Sequence, residues 1–83
     1  MQAFQTGAEL LDLAEVRALA KSGRAREIRV DSALSLADVA GAIGVTAPTV
    51  QRWEKGLRKP FGQAALRYGA LLDVLARRLE DHQ

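Results

Sequence analysis

Residues Leu36 to Gly56 read LADVAGAIGVTAPTVQRWEKG, two short apolar-periodic runs hinged at Gly44. Leu36, Val39, Ala40 and Ile43 recur at the spacing of one helix face. Ser35 and Asp38 stand at the capping-box spacing that starts such a helix. Gly44 follows the last periodic residue, where a helix end commonly needs a left-handed conformation that glycine adopts at least cost. Thr46 can then cap a second helix, with Pro48 in its first turn, where a missing N–H leaves no intrahelical acceptor unpaired. Lys55-Gly56 closes it. At about 100° per residue, Ala47, Gln51, Lys55, Pro48 and Arg52 share one arc of roughly 140°, and Val50 and Trp53 fall on the opposite side. The second helix therefore has two faces. Val50 and Trp53 clamp it onto Leu36, Val39, Ala40 and Ile43, small Ala40 permitting close approach, and the other arc is left to face solvent or a ligand.

Outward from this pair the chain reads as helices, with no convincing strand. Thr6 and Glu9 again have capping-box spacing, ahead of GAELLDLAEVRALAK, which predicts a first helix over residues 7–21 ended by Ser22-Gly23. The following RAREIRVDSAL forms a second helix with Ala25, Ile28 and Ser32 inward and its arginines outward, although β-branched Ile28 and Val30 disfavour it. A last helix over residues 61–80 carries a seam of Phe61, Ala65, Tyr68, Leu72, Leu75 and Leu79, with Leu66, Ala70 and Val74 well off it. There is no internal repeat and no linker. The expectation is one all-α domain over residues 1–83, a compact bundle of about five helices with the pair at residues 35–56.

At 83 residues the chain can bury a single core but not a core plus an enclosed substrate cleft. It has no cysteine, which excludes disulfides, thiolate catalysis and thiolate metal sites. Its one histidine, His82, is terminal; no glycine-rich phosphate loop follows a strand; and the acid pairs Asp12/Glu15 and Glu80/Asp81 sit where solvation explains them. No enzyme activity, cofactor or metal is expected. No apolar run approaches the roughly 20 residues needed to span a bilayer, and the opening MQAFQTGAEL lacks a secretory leader's pattern, so the expected location is the cytoplasm.

Net charge is +2, but its distribution is uneven. Between Lys21 and Lys59, eight basic residues (Lys21, Arg24, Arg26, Arg29, Arg52, Lys55, Arg58, Lys59) face four acids (Glu27, Asp31, Asp38, Glu54), while the flanks are net acidic. A cationic middle suits a polyanion. A helix presenting Gln51 and Arg52 beside small apolar groups has the width and chemistry for a DNA major groove, where Arg pairs with guanine, Gln with adenine, and an Ala or Pro carbon meets a thymine methyl.

Ala40, Gly44, Val50 and Trp53, together with RWEKGLRKP from Arg52 to Pro60, resemble the helix-turn-helix regulators of the xenobiotic-response-element class, which includes lambdoid phage repressors and Cro proteins. The likeness covers about Arg24 to Leu75. It implies a lambda-repressor-like domain, here with an extra N-terminal helix, that binds double-stranded DNA. Carried over by position, Thr46, Ala47, Pro48 and Arg52 are base-reading places with Gln51 beside them. Lys55, Arg58 and Lys59 match a phosphate-gripping loop, to which Arg24 and Arg26 add charge. Arg29 and Glu54 occupy the places of a structural ion pair. Two departures stand out: Leu36 where the family often has a phosphate-contacting Gln, and small Ala47 and Pro48 in place of longer base readers.

The favoured expectation is a small sequence-specific transcription regulator, a Cro-like repressor of phage or mobile-element type. The alternatives are an antitoxin that autoregulates its operon while masking a toxin partner, and a protein-interaction adaptor reusing the helices. A homodimer is expected through the first and last helices, which are apolar on two sides, with Leu11, Leu66 and Val74 as candidate interface residues.

Overall fold

The computed structural model describes residues 6–82, so the start of the opening segment, residues 1–5, lies outside the described residues. Five helices follow one another: α1 (Gly7–Ser22), α2 (Arg24–Asp31), α3 (Leu36–Ile43), α4 (Ala47–Glu54) and α5 (Gly62–Asp81). They form the all-α bundle that the sequence predicts. Local chemistry sets the ends. Both capping boxes form: Thr6 and Ser35 accept from the amides of Glu9 and Asp38, whose carboxylates accept the cap amides in return. The Ser35 amide that donates to it, and secondarily the adjacent Ser35 hydroxyl, hold the Asp38 carboxyl below its usual pKa. Asp38 thus adds stability that is present above the usual carboxylate range and is lost as the pH falls through its lowered value.

Gly23, at φ 91°, is the single residue between α1 and α2. Gly44 takes the left-handed conformation the sequence demands, with φ 82°, and the Gly44 and Val45 amides both donate to the Ala40 carbonyl. Arg67 of α5 reaches back to the Ile43 carbonyl at 3.4 Å, so the exposed end of α3 is also tied to the last helix.

The core is Val16, Ala20, Ala25, Ile28, Val39, Ala40, Ile43, Val50, Trp53, Ala65, Tyr68 and Leu72, contributed by all five helices. Leu75 and Leu79 pack at its margin. Three residues depart from the inward and outward reading of the helices. Arg29 of α2, expected outward with its neighbours, has a side chain only 12% exposed, because it turns in to bond Glu54. Phe61 is not on the buried seam: it is the extended N-cap of α5 (φ −148°) and 63% exposed, because helical periodicity does not extend to a residue outside the helix. Ala47 is half-buried against the core rather than in the free arc.

α1 and α5 run antiparallel. Arg17 bonds the Pro60 carbonyl just ahead of α5, Val16 lies against Gly69, and Asp12 shares a groove with Asp73 and Arg77. A Cβ at Gly69 would stand 3.3 Å from Val16 Cβ, whereas one at Gly41, on the outside of α3, meets nothing within 4 Å. Gly69→Val is therefore expected to cost about 1–3 kcal/mol by overpacking. Gly41→Ala is expected to gain about 0.5–1 kcal/mol through the unfolded chain. Urea denaturation of the two variants measures both, and an undisturbed Gly69→Val would mean that α1 does not sit this close to α5.

Candidate nucleic-acid interface

α4 is eight residues long, too short to hold its shape alone. Three devices hold it. At its start Thr46 Oγ1 accepts from the Thr49 amide and lies 2.9 Å from Thr49 Oγ1. On its inner face Val50 and Trp53 are buried, the Trp53 ring centroid 5.2 Å from that of Tyr68 at a 39° tilt. At its end Glu54 accepts from Arg29 of α2 twice, Nε to Oε2 at 2.6 Å and Nη2 to Oε1 at 2.9 Å. Arg29 Nη1 also donates to the Leu34 carbonyl at 3.0 Å, so one guanidinium joins α2, the α2–α3 connection and α4.

The pair is well buried, with side chains 12% (Arg29) and 4% (Glu54) exposed. Its hydrogen bonds raise the Arg29 pKa, against the opposing effect of burial. The Tyr68 hydroxyl lies near it and has no hydrogen-bond partner among the described residues. Burial first, and then the charge of Glu54, push the Tyr68 phenol well up, so it stays neutral across the working pH range.

With the inner face so fixed, Pro48, Gln51, Arg52 and Lys55 are exposed, as the rotational reading places them. Thr46 is exposed, but its hydroxyl is engaged in capping. Beside this face lies an open cleft of about 510 Å³ whose lining includes Thr46, Thr49, Arg52, Arg58, Phe61 and Gln63. Arg58 and Lys59 sit on the exposed turn that follows α4. Arg24 stands apart from them. It pairs with Glu27 at 3.2 Å and lines the groove between α1, α2 and α5 together with Asp12, Glu15 and Leu66. Arg26 is exposed on α2.

Sequence reasoning did not single out Thr49, Phe61 or Gln63. Heptad spacing places Phe61 on the core seam instead. For Thr49 and Gln63 the only signal was nearness to the cap of α4 and to the start of α5.

The family model described as "Helix-turn-helix domain" matches residues 22–82, from the end of α1 through α5. The chain belongs to the helix-turn-helix domain family, in agreement with the resemblance to the xenobiotic-response-element class, and so to a family of DNA-binding regulators. No curated protein and no solved structure matches it.

The ion pair that ends α4 has a measurable signature. Glu54→Leu strands the Arg29 guanidinium and is expected to cost about 3 kcal/mol, whereas Arg29→Met with Glu54→Leu should recover much of that loss. Because the Arg29 pKa is raised, its contribution is complete below the ordinary guanidinium range and is lost only as the pH climbs through the raised value. The cost should accordingly be the same at pH 7 and pH 9. Chemical denaturation at the two pH values checks this, and a double variant no better than the single one would count against the pairing.

Proposed function

We propose that the chain is a sequence-specific, double-stranded-DNA-binding transcription regulator that reads the major groove with α4 and acts as a repressor by occupying its site. The observation that carries this reading is the two-faced α4: its apolar side is locked into the core at Val50 and Trp53, while Gln51 and Arg52 stand exposed and Arg52 has no ion-pair partner among the described residues. Arg52 presents the fork that pairs with guanine O6 and N7, and Gln51 an amide that pairs with adenine. Pro48 offers carbon to a thymine methyl. Lys55, Arg58 and Lys59 follow on the same stretch and supply contacts to phosphate, which position the helix without reading sequence. A Cro-like mode of action uses this face and the turn behind it.

Selection of bound sequences from a random duplex pool tests the reading directly, since an unenriched pool would remove sequence specificity. With a preferred site in hand, Arg52→Ala should cost about 1–3 kcal/mol there and flatten preference at one base pair, while Lys59→Ala should weaken all duplexes alike. Equal losses for Arg52→Ala on preferred and random duplexes would take Arg52 off the reading face.

A homodimer belongs to the same proposal, because one such helix covers few base pairs and two half-sites about 34 Å apart are ordinarily read by a two-fold dimer. Its support is apolar surface where the start of α1 runs beside the end of α5: Leu11 is 74% exposed, and Leu10 and Val74 are each 51% exposed. Leu66, by contrast, is half-buried in the groove within one subunit. Val74→Glu should dissociate the dimer and weaken binding to the preferred site without unfolding the helices. Sedimentation that finds the wild-type chain monomeric, alone and on DNA, would leave side-by-side monomer binding instead.

A further inference from the structure

Behind the α4–α5 turn lies a second cleft, of about 380 Å³, walled on one side by the last turns of α1 and on the other by Gly56 to Pro60. Four basic residues line it, Arg17 and Lys21 from α1 and Arg58 and Lys59 from the turn, and no acid does. None of the four has an ion-pair partner among the described residues, whose ion pairs are Arg24–Glu27, Arg29–Glu54 and Asp73–Arg77. Arg17 Nε donates to the Pro60 carbonyl at 2.8 Å, which fixes the guanidinium and leaves its two Nη groups for another acceptor. Ala18 and Ala20 line one wall, and an added Cβ at Gly56 on the other would meet nothing within 4 Å, so there is open space between them.

Helix-dipole compensation explains a lysine in the last turn of α1. It does not explain why α1 docks so that two of its cations face two more across a cleft, an arrangement that repels itself unless an anion enters. Arg58 and Trp53 line both this cleft and the one beside α4, so the two are neighbours on one surface.

We propose that the cleft between α1 and the α4–α5 turn binds a phosphate of the DNA backbone, with Arg17 and Lys21 gripping it alongside Arg58 and Lys59. The proposal rests on the DNA-binding reading and deepens it. Nearly all of α1 lies ahead of the residues matched by the helix-turn-helix family model, so the contact belongs to a helix added to the motif. The cleft is open rather than enclosed, which suits a phosphodiester in a continuing chain; a free phosphate anion offers the same chemistry and is separated by the test.

The test is the salt dependence of binding to a labelled random-sequence duplex, measured by fluorescence anisotropy for the wild type, Lys21→Gln, Lys21→Arg, Lys59→Gln and Arg78→Gln. Lys21 is exposed and makes no side-chain hydrogen bond among the described residues, so its variants leave the fold in place. Losing one phosphate contact lowers the log–log slope by about 0.9. Lys21→Gln should show that decrease and weaken preferred and random duplexes by the same factor. Lys21→Arg should restore the slope. Arg78→Gln, which removes equal charge near the far end of α5, should leave it unchanged.

A wild-type slope in Lys21→Gln, with Lys59→Gln lowered, would overturn the proposal and leave the DNA-binding reading standing. Loss of all duplex binding by the wild type would overturn that reading first, and this proposal with it. In parallel, inorganic phosphate is titrated while the Lys21 and Gly56 amides are followed by NMR. Saturation there, combined with an unchanged Lys21→Gln slope, would assign the cleft to a free anion and overturn the backbone contact.

Discussion

The burial of Trp53 is the contact on which the rest of the arrangement depends. Trp53 is 2% exposed, stacks obliquely on Tyr68 of α5, and lines both the cleft beside α4 and the basic cleft behind the α4–α5 turn. An eight-residue helix has little stability of its own, so the direction in which α4 presents Gln51 and Arg52 is set by what holds its other side. Val50 and Trp53 supply the apolar hold. The Arg29–Glu54 pair adds direction, because a bidentate guanidinium–carboxylate contact tolerates little rotation of α4 about its axis. A buried ion pair is weak evidence for added stability, and its value here lies in geometry. The exposed face is thus organised in advance, and no ordering of α4 is left to be done by a ligand.

What could be read in the sequence follows from what acts locally. Both capping boxes, the left-handed Gly44, the proline in the first turn of α4 and the burial of Val50 and Trp53 are decided within a few residues, and all stand where local rules put them. Two of the three misplacements fall at helix ends; the third, Arg29, turns inward to a partner 25 residues away. Ala47 opens α4 and tucks against the core, and Phe61 precedes α5 in extended backbone, where a rotation of 100° per residue has no meaning.

The basic cleft could not be read at all. Arg17 and Lys21 are separated from Arg58 and Lys59 by about half the chain, and they meet because α1 runs antiparallel to α5, a matter of tertiary docking with no local spacing to announce it. The same docking took Arg24 the other way. By position in the chain it belongs to the cationic middle, yet it pairs with Glu27 and lines a groove with Asp12 and Glu15, away from the basic cleft.

The added helix consequently does more than cover the core. Arg17 is at once a wall of the basic cleft and the donor that holds the Pro60 carbonyl, and Pro60 itself is buried. The turn bearing Arg58 and Lys59 is therefore pinned at its end by a residue outside the helix-turn-helix segment, while its beginning is pinned by Trp53 through α4. A flexible turn would have to lose conformational freedom whenever its cations met a phosphate, and each long side chain would add its own ordering cost. Pinning both ends places that cost in folding, where the core already offsets it. On the proposed function, α1 then contributes to affinity in two separable ways, by the charge it brings to the cleft and by the rigidity it gives to charges it does not carry.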